Sequence, residues 1–254
     1  MPNPVSLDVA FVPGEMPPLE GTVAVVLDVI RASTTIVTLL DRGCQSIGLA
    51  ESVESARVVA RTGSGVLLCG EVGGLPPYGF DHGNSPSEFA QLDLTGRHMV
   101  MATTNGTAAI RACAGAAMVL VGAAINANAV IREALQFLRQ FDRLLIVCAG
   151  RDGRFVLDDA AAAGYLCHIF LNEAKVRSLP VAESNSAIAA YRLYHSYPNL
   201  LAAFNDSDSA KALYPVRLER DVSYCAKTSI SKRVPQLAAE APEHWHDRAG
   251  VYLA

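Results

Sequence analysis

Four stretches of this chain place acids, arginines and hydroxyls where they could act on an anion. VLDVIRASTT carries Asp28, Arg31, Ser33, Thr34 and Thr35 just after an apolar run. CGEVGGLPPYGFDHGNSPSEF carries Glu71, Asn84 and many glycines and prolines. ATTNGT holds Thr103, Thr104, Asn105, Gly106 and Thr107, and CAGRDGRFVLDD holds Arg151, Asp152, Arg154, Asp158 and Asp159. Carboxylates suit a hard divalent cation. Guanidiniums present a planar fork matched to phosphate or sulfonate. Hydroxyls at a helix start add donors to unpaired backbone N–H groups that already favour an anion. Together they are the equipment for Mg²⁺ and an anionic ester, because phosphoryl transfer needs charge neutralisation and donors for the equatorial oxygens.

Each stretch also has a plainer reading. Ser33 suits a helix cap, Asp28 could pair with Arg31, and Asp158 or Asp159 could cap the Ala-rich helix that follows. The long Gly- and Pro-rich loop could be a surface excursion that ends at an Asn-Ser-Pro helix start. What favours chemistry is the recurrence of the same side chains in four strand-end loops. No GxxxxGK[ST], GxSxG, HExxH or GxGxxG pattern competes.

The elements that must position these loops follow from hydrophobic periodicity. Apolar runs of strand character fall at 5–10, 22–29, 45–49, 66–70, 97–102, 117–122 and 143–148. Helix-period segments lie at 33–42, 52–61, 105–114, 125–139 and 157–172. This alternation predicts a three-layer α/β/α fold with a largely parallel or mixed sheet, whose strand-end loops gather along one edge. After 172 the spacing predicts helices over 183–194, 197–204 and 215–226, and the end, 235–254, reads as irregular.

A shift of 72 residues lays GCQSIGLAESVESA on GAAMVLVGAAINAN and Arg31-Ala-Ser-Thr-Thr on Thr103-Thr-Asn-Gly-Thr. The identities are few, and coincidence competes with a duplication relating 22–60 to 97–135. The chain is taken as a single α/β domain over 1–254, with a helical part over about 183–230.

The chain has 254 residues, 51% of them hydrophobic and 18% charged, with a net charge of −4. With no Lys/Arg run, that charge argues against a nucleic-acid partner. No unbroken apolar stretch long enough for a membrane span and no leader pattern is found, so a cytoplasmic protein is expected. Six scattered cysteines without a CxxC pair argue for buried thiols rather than disulfides or zinc. Homo-oligomerisation stays open.

VVLDVIRASTTI, CGEVGGLPPYGFDHGNSPSEF, TTNGTAAI, INANAV and LLIVCAGRDGRFVLDDAAAAGYL, in this order, resemble the 2-phosphosulfolactate phosphatase family. DVSYCAKTSISKRVPQL is a weaker match, and the likeness runs over about residues 5–237. The resemblance implies an α/β, Mg²⁺-dependent hydrolase that splits (2R)-2-phospho-3-sulfolactate into 3-sulfolactate and phosphate, a step of coenzyme M synthesis in archaea. Asp28, Arg31 and Asp152 are then expected to act in catalysis. Asp28, Glu71 and Asp158 would hold the metal. Arg31, Thr103, Thr104, Asn105, Gly106 and Thr107 would hold the phosphate, Arg151 and Arg154 the sulfonate and carboxylate end, and Thr34, Thr35 and Asn84 would also bind substrate. One departure is Val72, where the family pattern leads one to expect arginine; it puts the substrate in question. The alternatives are a non-catalytic anion-binding or regulatory module, and a phosphatase or phosphotransferase acting on another small phospho-carboxylic acid.

Overall fold

In a computed structural model of the chain, the described residues are 4–61, 65–238 and 251–253. All seven expected strands form: β1 Val5–Ala10, β2 Thr22–Leu27, β3 Ser46–Leu49, β4 Val66–Gly70, β5 His98–Ala102, β6 Met118–Gly122 and β7 Arg143–Cys148. Two short strands were not anticipated, β8 Val181–Glu183 and β9 Val251–Leu253. Both have only three residues, too few for a periodicity to show. Positions 239–250 of the stretch expected to be irregular lie outside the described residues.

The strands divide between two sheets. One is fully parallel, in the order β6-β2-β7-β1-β8. The other runs β4-β5-β3-β9, parallel except for β9. Central β2 is buried at all six positions, with Val23, Val25 and Leu27 in one core and Ala24 and Val26 in another. A strand covered on both faces reads as a continuous apolar run, as this one does. Backbone bonds from Val121 N–H to the Pro235 carbonyl and from Leu237 N–H to the Val119 carbonyl, with a bridge from Leu237 to Leu253, tie the edges of the two sheets together.

Helices cover the sheets. α1 Ala32–Asp41 and α4 Gly106–Ala112 share one core with the facing sides of both sheets. α1 is therefore buried from Ala32 to Leu40, and its hydroxyls must find partners inside. Thr34 donates to the Val29 carbonyl at 2.8 Å, Thr38 to the Thr34 carbonyl at 2.8 Å, and Thr35 to the Asn84 carbonyl at 3.3 Å. α2 Val53–Arg61 covers the far side of the smaller sheet. α5 Ala127–Phe137, α6 Leu157–Val176 and α7 Asn185–Ser196 pack on the far side of the larger one. α6 passes α7 so closely at Gly164 that a Cβ there would lie 2.0 Å from the Ala190 carbonyl oxygen. Short helices complete the chain: α3 Pro86–Phe89, α8 Leu200–Asp206, α9 Asp208–Leu213 and α10 Glu219–Cys225. The expected helix over 215–226 begins later, at Glu219, after a short turn of 3₁₀ helix at Tyr214–Val216. All six cysteines are free and buried. No described helix is long and apolar enough to cross a membrane.

Candidate active site

β2 leaves the core at Leu27, and Asp28 is the first residue with room on one side. The corner into α1 is closed by its own groups. Ser33 N–H donates to the Asp28 carbonyl at 2.8 Å, Asp28 N–H donates to Ser33 Oγ at 3.1 Å, and Ala32 N–H donates to Asp28 Oδ1 at 3.3 Å. Ser33 thus holds the corner, while the carboxylate of Asp28 takes the helix N–H. Arg31 does not pair with Asp28. Its Nη1 donates to Asp221 Oδ2 at 2.9 Å and its Nη2 to the Gly74 carbonyl at 2.8 Å.

The loop after β4 folds back in a two-residue turn. Val72 and Leu75 exchange both backbone hydrogen bonds around Gly73 (φ 61°) and Gly74 (φ 87°). Paired positive φ values define a type I′ turn, which glycine adopts without strain. Glu71 is fixed at its base: Oε1 accepts from Thr104 N–H (3.0 Å) and Thr104 Oγ1 (2.9 Å), and Oε2 accepts from Gly74 N–H (2.9 Å). The loop after β7 repeats the design. Arg151 and Arg154 exchange backbone bonds around Asp152 (φ 52°) and Gly153 (φ 71°), and Asp152 N–H donates to Asn105 Oδ1 at 3.2 Å.

These loops enclose a cavity of about 400 Å³ at the carboxyl edge of the strands. Of the expected site residues, Asp28, Arg31, Glu71, Asn84, Thr103, Thr104, Asn105, Arg151, Asp152 and Asp158 line it. Thr34, Thr35, Gly106, Thr107 and Arg154 do not. The hydroxyls of Thr34 and Thr35 are turned to backbone carbonyls inside the fold. Thr107 donates its hydroxyl to the Thr103 carbonyl, while its N–H is capped by Thr103 Oγ1. Arg154 shares the turn with Arg151, but only Arg151 lines the cavity. Gly106 acts by having no side chain: a Cβ there would lie 2.7 Å from Asp28 Oδ2 and 2.5 Å from Ala32 Cβ. Its absence lets the first turns of α1 and α4 meet behind Asp28.

The sequence reading missed several contributors. Asp159, read only as a possible cap, is buried and clasps two loops, accepting from Val29 N–H at 2.9 Å and Gly150 N–H at 3.1 Å. Ser209 on α9 donates to Asp158 Oδ1 at 2.9 Å, Leu213 closes one wall, and Asp221 on α10 holds Arg31. Nothing local marks Ser209 or Leu213; Asp221 stands in the weaker matching stretch DVSYCAKTSISKRVPQL.

The electrostatics follow from crowding. Burial, then the like charges of Asp158 and Glu71, push the Asp28 carboxyl up to about 7, against the pull of Ala32 N–H and Arg31. Burial also raises Asp158 to about 6, opposed by the Ser209 hydroxyl and more weakly by Arg151. Asp159 is pushed well above the usual carboxylate range by burial and by its neighbours Asp158 and Asp28. Such a cluster needs either a shared proton or a cation. Among the described residues no three His, Cys, Asp or Glu side chains form a ready-made metal cage. A hard cation such as Mg²⁺ uses one or two carboxylates, waters and the substrate's own phosphate, and Asp28 and Asp158 suit that demand. Glu71 fits it less well, since both its oxygens already accept hydrogen bonds. The buried Oδ1 of Asn84 has no hydrogen-bond partner among the described residues, although Asn84 lines the cavity; as an acceptor it calls for a donor or a cation.

Acids and guanidiniums facing each other at the carboxyl edge of parallel strands are the fittings of an α/β enzyme that works on phosphate esters. Known proteins narrow that class. The model of a family described as 2-phosphosulpholactate phosphatase matches residues 11–240. A probable 2-phosphosulfolactate phosphatase of Thermus thermophilus is 40% identical over 240 residues, covering 93% of this chain and 96% of its own. One of Deinococcus radiodurans is 41% identical over 216 residues (85% and 87%), and one of Carboxydothermus hydrogenoformans 33% over 235 residues (91% and 93%). The chain belongs to the 2-phosphosulfolactate phosphatase family, a family of phosphoric monoester hydrolases.

Proposed function

We propose that the protein hydrolyses the phosphate ester of (2R)-2-phospho-3-sulfolactate, releasing 3-sulfolactate and phosphate, and that it does so with Mg²⁺. The observation that carries this reading is the convergence of Asp28, Glu71 and Asp158 with Arg31 and Arg151 on one cavity. Asp28 and Asp158 would hold the metal. When bound, Mg²⁺ neutralises phosphate charge and polarises the phosphoryl oxygens.

The chain's own groups do the rest. Arg31, anchored on two sides, presents its remaining N–H groups to the phosphate; Thr103, Thr104 and Asn105 bring further polar groups to the same wall. Arg151 sits at the mouth, its Nη1 loosely tied at 3.3 Å to the Asp208 carbonyl, where it would meet the sulfonate or carboxylate. The Val72 side chain is 61% exposed and lies outside the cavity wall, so the cationic groups of the site are those of Arg31 and Arg151. Two routes begin at Asp28: the attacking oxygen belongs to a water held there, or to the carboxylate itself. Trapping a phospho-enzyme at Asp28 during a single turnover selects the second route, and its absence the first.

The test is phosphate release from 2-phospho-3-sulfolactate with Mg²⁺ and with EDTA. Release with the metal and none with the chelator is expected. The proposal fails if no phosphate is released from this ester or from any phospho-carboxylic acid under any divalent ion. Transfer to an added alcohol in competition with water would mark a phosphotransferase instead.

A further inference from the structure

Asp221 lies outside the cavity, on α10, about 190 positions along the chain from the residue it serves, and it is fully buried. Its Oδ2 accepts Arg31 Nη1 at 2.9 Å, and the two side chains are 0% and 3% exposed. Its Oδ1 accepts three more bonds, from Ser85 Oγ at 2.7 Å, Ser87 Oγ at 2.6 Å and Ser87 N–H at 3.2 Å. All of these come from the start of α3. A buried ion pair contributes little net stability, because desolvation offsets the attraction. What it does supply is direction. With Nη1 held by Asp221 and Nη2 by the Gly74 carbonyl, the plane of a five-donor guanidinium is fixed, and Arg31 lines the cavity in that fixed plane.

We propose that Asp221 is the positioning residue for Arg31: held by Ser85 and Ser87, it sets the plane in which the guanidinium meets a phosphoryl group, and it balances the arginine's charge so that the site does not overbind its anion before reaction. The catalytic consequence rests on the phosphatase reading above; the effect on anion binding does not.

The variant Asp221→Asn keeps the size and one acceptor but loses the charge. Its kcat is expected to fall about 100-fold through a misplaced guanidinium, while KM stays level or falls. Binding of inorganic phosphate, followed by calorimetry, is expected to tighten by about threefold or more, because a buried cation has lost its partner. In the double variant Arg31→Lys/Asp221→Asn, kcat should match that of Arg31→Lys alone, since the two residues act as one unit. A merely structural Asp221 would lower thermal stability and leave these ratios unchanged in the folded fraction; that result overturns the proposal. Should Asp221→Asn not fold, Ser87→Ala removes one of the bonds to Oδ1 and is expected to lower kcat several-fold at constant KM; an unchanged kcat overturns the proposal. Should the wild-type chain hydrolyse no ester, the phosphatase reading falls by itself, and phosphate affinity still decides: if it is unchanged in Asp221→Asn, the positioning role is wrong.

Discussion

At the scale of single residues, the cavity is governed by which charges face which. Asp28 feels this balance strongly, since burial and two neighbouring acids raise it to about 7. Asp28→Asn removes a ligand of the proposed metal and the group at which attack is proposed to begin. Turnover is expected to fall at least about 100-fold in a phosphate-release assay. Thermal stability above pH 7 should hold or rise, because a crowded negative charge has gone while the amide oxygen can still accept Ala32 N–H. The two arginines of the RDGR turn separate in the same assay. Arg151→Ala, which strips the cavity mouth, is expected to raise KM about tenfold or more, whereas Arg154→Ala, with its side chain outside the cavity, should stay within about twofold of wild type.

At the scale of elements, the site depends on how closely the strand ends and helix starts approach. Asp159, on the first turn of α6, holds the β2 corner and the β7 loop through two backbone N–H groups. Asp159→Ala strands both donors in the interior, at an expected cost of about 2–4 kcal/mol in denaturant unfolding, the sum of two unmet hydrogen bonds. Gly106 sets the gap between α1 and α4. In Gly106→Ala the methyl group meets the Asp28 carboxylate and Ala32, so kcat should drop more than about tenfold, with a stability loss of about 1–3 kcal/mol from overpacking. The residue thus acts on the reaction through spacing, not through contact with substrate.

At the scale of the whole molecule, two sheets bring their carboxyl edges to one place, and the acids collected there make folding depend on pH. Asp28 and Asp158 both titrate higher in the folded chain than the ordinary 3.8, at about 7 and about 6. The folded state therefore holds protons that the unfolded chain has released, and stability falls as pH rises from about 4 to about 7. Without metal, in EDTA, the melting temperature is expected to be lower at pH 8 than at pH 5. Mg²⁺ should recover the loss at pH 8 and do little at pH 5, because the ligands must be deprotonated to bind it. An EDTA melting curve that is flat with pH would mean the acids do not repel one another as their placement implies.

The seven main strands and the helices between them were legible in the sequence, since each buries a face whose period is written in the local pattern of apolar residues. So were the four loops, because Gly, Pro and clustered polar residues at strand ends have few uses in a fold that must bury its backbone. Ten of the named site residues line the cavity for that reason. Local pattern could not say which hydroxyls face inward: Thr34 and Thr35 look like phosphate donors until α1 is seen buried between two sheets, where their oxygens must satisfy carbonyls instead. It could not divide the strands between two sheets, because strand order rests on contacts between residues far apart in the chain. Nor could it join Arg31 to Asp221 or Asp158 to Ser209, since the helices that carry these partners fold onto the site from the far end of the chain. The sequence by itself determined the kind of side chain at each strand end and the family to which the chain belongs. Only the tertiary structure decided which of those side chains meet, because a charge pair or an acid cluster exists only when distant segments are packed within hydrogen-bond reach of one another.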